Sequence, residues 1–313
     1  MSRKGIRFML FVTFLLQLIL SGCSPQSTSE NIPLTPTPQP TIIPSPQGTP
    51  EEKPEDTLFR QLYQSALDKL EKGNYEEAIT DFDQIIALRP NDTIPYGQRG
   101  IAKLHLKDYD GALADLNKAI ELDSKNYLAL NTRGLLYAEL NDLEKALADF
   151  TLAIEVFPEY AKAYVNRANV YIQLGQDENA LADYNKAIEL DPNNPTAYFN
   201  RGSAYGEKGD FQKAVEDFKT YINLQPNDPA GFYNLATAYG ELGDMDSVLY
   251  YINKAIELEP TNPVFYFVRG MANAYKRLNE NAIADFRKVI QLNPDEDLRL
   301  QAEEWLKFLG ATP

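Results

Sequence analysis

Cysteine occurs once in this chain, at Cys23, histidine once, at His105, and tryptophan once, at Trp305. One cysteine rules out an internal disulfide and a Cys/His metal cluster, and leaves everything beyond residue 23 without a thiol nucleophile. The single histidine has no partner that sequence can identify and lies near the end of an expected helix, so it is read as a solvated or groove-lining residue and not as a general base. Neither a glycine-rich phosphate loop nor a serine elbow occurs. Positive charge is also short, with 30 Lys and Arg against 45 Asp and Glu, a net charge of −15. Nucleic-acid binding needs a basic face to displace counterions, which argues against a phosphate backbone as partner. The acidic residues follow no calcium-loop spacing, so no metal is expected. The expectation is a protein without cofactor, small-molecule substrate or catalytic residue.

Long apolar runs are missing after residue 20. The one near the start, Phe8 to Leu20, follows Arg3, Lys4 and Arg7 and reads as a signal peptide, being too short for a spanning helix of about 20 residues. It ends in Leu20-Ser21-Gly22-Cys23, which resembles the lipobox of bacterial lipoproteins. The resemblance implies removal of residues 1–22 and a diacylglycerol on Cys23; the alternatives are a plain secreted protein with an idle cysteine, or an uncleaved anchor. Several acyl chains hold a protein on its membrane far more firmly than one. Ser24 after the cysteine favours an outer membrane, or the cell surface in a single-membrane host, so the expected location is the bacterial cell envelope. Residues 23–57 hold Pro33, Pro36, Pro38, Pro40, Pro44, Pro46, Pro50 and Pro54. They cannot build a core and read as an extended tether spanning up to about 100 Å.

From residue 59 onward one pattern repeats every 34 residues without insertion or deletion. Residues 195–228 show it best. Tyr198, Gly202 and Tyr205 form one helical stripe, Gly209 splits it from Phe211, Ala214, Val215, Phe218 and Ile222, and Pro226 closes the unit, with Asp210 placed to cap the second helix. A small residue recurs at Ala66, Gly100, Gly134, Ala168, Gly202, Ala236 and Gly270, and a bulky one at Phe82, Leu116, Phe150, Tyr184, Phe218, Ile252 and Phe286. This resembles the tetratricopeptide repeat, with Arg-Gly in place of Leu-Gly and tyrosine in place of the leading tryptophan. Seven units are expected, at 59–92, 93–126, 127–160, 161–194, 195–228, 229–262 and 263–296. The resemblance implies an all-α fold, a right-handed superhelical solenoid of helix pairs. Residues 297–313 would cap it, with Leu298, Ala302, Trp305, Leu306 and Leu309 on one face, Asp297 at the start and Gly310 past the end. The turn of the seventh unit, Arg277-Leu278-Asn279, lacks glycine and is the hardest boundary to place.

Arginine recurs at Arg99, Arg133, Arg167, Arg201 and Arg269, and aspartate at Asp81, Asp115, Asp149, Asp183, Asp217 and Asp285. Repeat six has neither, carrying Leu235 and Tyr251. Pairing inside each repeat leaves only Asp81, opposite Ser65, unmatched; pairing with the next repeat strands three residues. The expected pairs are therefore Arg99–Asp115, Arg133–Asp149, Arg167–Asp183, Arg201–Asp217 and Arg269–Asp285, read as exposed pairs of about 0–1 kcal/mol that set register.

In the family the first helices line a concave groove. Here that resemblance places Asn131, Val165, Asn166, Asn169, Phe199, Asn200, Ser203, Tyr233, Asn234, Thr237 and Phe267 inward. Amides offer both donor and acceptor to a peptide backbone, and aromatics add apolar area at little entropy cost. The expected function is a membrane-anchored scaffold that binds a peptide or helix of a protein partner, similar to envelope lipoproteins serving pilus, outer-membrane-protein or peptidoglycan assembly. Two alternatives stand: these residues are only repeat consensus, or the protein self-associates without a peptide ligand. An enzyme is the remaining, disfavoured class.

Overall fold

A computed structural model of the chain describes residues 54–292 and 294–313. The signal peptide, Cys23 and all but the end of the tether lie outside the described residues. Fifteen α-helices and no strand occur among the described residues. They are α1 (Pro54–Glu71), α2 (Tyr75–Leu88), α3 (Thr93–His105), α4 (Tyr109–Leu122), α5 (Tyr127–Glu139), α6 (Leu143–Val156), α7 (Ala161–Gln173) and α8 (Asp177–Leu190). They continue with α9 (Pro195–Glu207), α10 (Phe211–Leu224), α11 (Pro229–Glu241), α12 (Met245–Leu258), α13 (Pro263–Tyr275), α14 (Asn279–Gln291) and α15 (Glu296–Phe308). Helix starts at 93, 127, 161, 195, 229 and 263 keep the 34-residue register. The all-α, helix-pair architecture expected from the repeat is the one found. The first helix begins at Pro54, earlier than the expected end of the tether at residue 57.

One backbone device makes every inner turn. Gly73, Lys107, Asn141, Gly175, Gly209, Gly243 and Arg277, each 34 residues after the last, all have positive φ, from 59° to 80°. The left-handed residue lets the chain fold back over the helix end. In repeat five Gly209 N–H donates to Gly206 C=O at 3.0 Å and Asp210 N–H to Tyr205 C=O at 2.8 Å, the paired bonds of a Schellman stop. Arg277 adopts the same geometry at φ 65° without glycine, with Leu278 N–H donating to Asn273 C=O at 2.8 Å. Repeat seven thus turns where its neighbours do.

The next residue is the N-cap of the second helix, which begins one residue later. Asp108, Asp142 and Asp244 accept from the backbone N–H of Gly111, Lys145 and Ser247 at 3.0, 3.3 and 3.1 Å. Asp210, expected to do the same, makes no such capping bond; its carboxylate accepts from Lys213 Nζ at 2.6 Å, and that ammonium holds its pKa below the ordinary value. Asp142 makes both bonds at once, accepting from Lys145 Nζ at 2.5 Å as well as from its backbone N–H, so the lysine alone does not remove the cap at Asp210.

The chain divides into two compact units between Asp183 and Tyr184. In the unit ending at Asp183, α3 packs on its second helix, α4, and on the next first helix, α5, and α5 packs likewise on α6 and α7. Its core is a series of small clusters, such as Ala66, Ala78, Phe82 and Ile85, then Ala112, Leu116, Ala119, Ala129 and Leu136. Close approach is the reason for the small residues. A Cβ on Gly134 would lie 2.7 Å from Phe150 Cε1.

The unit from Tyr184 has a small cluster around Phe199, Phe218 and Leu235, and a larger one running from Tyr233 through Phe267 and Phe286 to Leu306. Helix α15 covers the end of the last repeat. Leu298, Ala302 and Leu306 are buried, and Trp305 stacks on Phe286 with ring centroids 5.5 Å apart. Its cap is Asp295, which accepts from Leu298 N–H at 2.9 Å; Asp297, expected in that role, lies in the first turn instead.

Candidate partner-binding face

Two sets of polar side chains recur along the repeats, one between helices and one on the first helices. The first is the Arg–Asp ladder, and all five expected pairs form inside their own repeats. Arg133 donates through Nε and Nη2 to both oxygens of Asp149 at 2.7 Å each, and Arg167 to Asp183 at 2.7 and 2.9 Å. The corresponding bonds of Arg99–Asp115 are 2.8 and 2.5 Å, and those of Arg201–Asp217 are 2.8 and 2.6 Å. Arg269 reaches Asp285 at 2.7 Å through Nη2.

The pairs are not the exposed ones expected. Asp115, Asp149, Asp217 and Asp285 are each only 4% exposed, because stacked helices cover the carboxylate. Arg99 is held well above the ordinary arginine value, chiefly by its hydrogen bonds to Asp115. Burial nevertheless pushes the Asp217 carboxyl up despite its bonds to Arg201, so desolvation consumes much of what the pairing gains.

Each arginine also makes a bond that the sequence did not disclose. Its Nη1 reaches back sixteen residues to the preceding repeat: Arg99 to Asp83 at 2.5 Å, Arg133 to Asn117 at 2.7 Å, Arg167 to Thr151 at 3.1 Å, Arg201 to Asn185 at 2.7 Å and Arg269 to Asn253 at 2.7 Å. The acceptor changes type from repeat to repeat, which hides it from a search for identity. Nor is Asp81 unmatched: Ser65 Oγ and Lys69 Nζ both donate to it at 2.7 Å. In repeat six, Tyr239 and Tyr251 stack 5.5 Å apart and Lys219 lies 5.4 Å from the Tyr239 ring. Leu235 there is fully buried.

The second set comprises the residues expected to line a groove. In the unit ending at Asp183, Asn166 Nδ2 donates to Asn131 Oδ1 at 2.9 Å, joining α7 to α5. Asn131 and Val165 are buried at 5% exposure, whereas Asn166 and Asn169 are half-buried. His105 lies on the Tyr75 ring at 4.3 Å, and burial lowers its pKa.

In the unit from Tyr184, α9 packs on α11 and α11 on α13. Asn200 and Ser203 on α9 and Asn234 on α11 are half-buried; Phe199, Tyr233, Thr237 and Phe267 are buried. Phe199 sits edge-on to Phe218, and Phe267 to Phe286, so these two rings serve the core. Ser203 Oγ donates to Phe199 C=O at 3.0 Å, Thr237 Oγ1 to Asn234 C=O at 2.8 Å, and Asn234 Nδ2 to Ala230 C=O at 2.9 Å. The two hydroxyl protons are thus spent on the helices' own carbonyls. Of the two, only Ser203 is partly exposed, and what it has left for a ligand is its oxygen lone pairs.

Sequence reasoning passed over Glu241, the last residue of α11. It falls seven residues after Asn234 and four after Thr237, on the same helical face. Its Oε1 is buried without a hydrogen-bond partner, and burial pushes its pKa up to about 7. Nothing in the residue type signals this; the burial comes from stacking.

Models of the tetratricopeptide repeat match residues 63–127, 127–160, 195–228, 230–262 and 264–296, and a further model described as TPR repeat matches 168–209. No curated protein sequence matches the chain. Among solved structures, it is similar to PilW, described as a widely conserved type IV pilus biogenesis factor. The two are 23% identical with a TM-score of 0.59, over 67% of this chain and 97% of that one. Pseudomonas aeruginosa pilF matches at 18% identity and TM-score 0.61, over 67% and 96%. YrrB, described as a TPR protein with an unusual peptide-binding site, matches at 24% identity and TM-score 0.54, over 60% and 97%. At these identities the likeness is one of fold.

Proposed function

The chain belongs to the tetratricopeptide-repeat family, whose members are protein-interaction scaffolds, and from that premise we propose that it is a lipid-anchored scaffold of the bacterial cell envelope. It captures an extended or helical segment of a partner protein on the face formed by α9, α11 and α13. The observation that carries this reading is the row of half-buried polar side chains, Asn200, Ser203 and Asn234, on first helices that pack directly side by side. Such groups are fixed by their helices before a ligand arrives, so little ordering cost is added on binding. A peptide-binding site in YrrB, which shares the fold, is consistent with this use of the architecture.

The anchor rests on Leu20-Ser21-Gly22-Cys23 and the apolar run before it. The proline-rich residues after Cys23 would hold the repeats away from the lipid. Two experiments test the two halves. A photoreactive residue at position 200 or 234, placed in the native cell, is expected to crosslink a defined protein; crosslinks only from second-helix positions would remove the groove. Fatty-acid labelling is expected to mark the wild-type chain and not Cys23→Ala, and equal labelling of both would remove the anchor.

A further inference from the structure

The polar face of α9 and α11 ends in carboxylates, and this gives the partner segment a charge. Asn200, Ser203 and Glu207 stand at i, i+3 and i+7 on α9, and Asn234, Thr237 and Glu241 repeat that series on α11. Residues so spaced share one side of a helix. We infer that this stripe receives a segment bearing a lysine or arginine, whose cationic head settles against Glu241 while the half-buried oxygens of Asn200, Ser203 and Asn234 accept from the segment's N–H groups. The inference rests on the proposed groove and specifies what enters it.

Three observations converge on a cation. Glu241 Oε1 is buried with no hydrogen-bond partner, a state that costs free energy and is relieved by an incoming donor. Glu241 closes α11, where the helix's free carbonyls carry partial negative charge; that end repels a carboxylate and attracts a cation. Among the described residues no charged group offsets the burial of Glu241, while Lys213 is bonded to Asp210 and Lys276 to Asp246. Burial without a cation is also why this carboxyl holds its proton to about pH 7. At longer range the net charge of −15 favours the approach of a basic segment over an acidic one. Ser203, with its proton already donated to the Phe199 carbonyl, points the same way, since it is left to accept.

The test pans a library of random linear peptides against the full-length protein in detergent. Recovered peptides are measured against wild type, Glu241→Gln and Glu207→Gln, and crosslinked through position 234. Glu241→Gln removes a buried charge without changing shape, so it is expected to fold at least as well as wild type. Peptides that share a Lys or Arg at a fixed place, crosslink at position 234, and bind Glu241→Gln about tenfold or more weakly support the inference. Peptides that crosslink there but are uncharged, or are indifferent to Glu241→Gln, overturn it and leave the groove intact. If no recovered peptide crosslinks at position 234, the groove and the inference fall together.

Discussion

Arg277 and Lys107 occupy backbone conformations that five of the seven equivalent positions give to glycine or, for Asn141, to a residue that tolerates them. A Cβ there meets its own carbonyl, at a cost of about 1–2 kcal/mol, part of which glycine returns through the unfolded chain's greater freedom. Arg277→Gly and Lys107→Gly are each expected to raise stability by about 0.5–1 kcal/mol in urea titrations. Gly209→Ala is expected to lower it by about 1 kcal/mol. Glu241 gives a test of another kind. Its folded pKa of about 7 stands above the ordinary 4.5, so the folded state holds the proton more tightly than the unfolded one. Its penalty is absent below about pH 4.5, grows as pH rises, and is complete above about 7. Glu241→Gln is therefore expected to raise Tm at about pH 8 and leave it unchanged at about pH 4; equal shifts at both would contradict the assignment.

At the scale of the helix pair, the ladder separates what a pattern discloses from what only packing does. Same-repeat pairing could be read from the sequence because repeat six lacks both partners at once. The burial of the aspartates could not, since it depends on helices from neighbouring repeats covering them, and that burial changes the energetics. Asp149→Ala strands the Arg133 guanidinium, 19% exposed in its side chain, and is expected to cost about 3 kcal/mol, more than any exposed pair. Repeat six shows how the same space is filled without charge, by Leu235 and Tyr251. The double variant Arg133→Leu/Asp149→Tyr is accordingly expected to lose less stability than Asp149→Ala alone. Chemical denaturation of the three proteins decides this. The caps teach the same lesson on a smaller scale: Asp210 and Asp297 are suitable residue types near helix starts, yet Asp210 bonds the Lys213 ammonium and not the backbone, and Asp295 stands at the true start in place of Asp297.

For the whole molecule, the helix-pair fold was legible because one register holds from the first repeat to the last, and a single slipped residue would have destroyed it. The proposed binding face was legible only in part. The family resemblance marked Asn200, Ser203 and Asn234, but it marked Phe199 and Phe267 equally, and those two are packed on Phe218 and Phe286. A helix face does not announce how wide a stripe its neighbours cover. The end of the stack is a further test at this scale. Deleting residues 296–313 would uncover Phe286 and the apolar residues beside it, now covered by α15, and the truncated protein is expected to aggregate. Sedimentation against the intact chain measures it.

Because each arginine grips the module before it, the order of modules is not free. Asp83, Asn117, Thr151, Asn185 and Asn253 could all receive an arginine-bearing module copied in behind them. Lys219 could not, for the newcomer's guanidinium would meet an ammonium. The joint ahead of repeat six is thus a one-way junction, where an internal duplication would have to bring Leu235's counterpart with it or change Lys219 first.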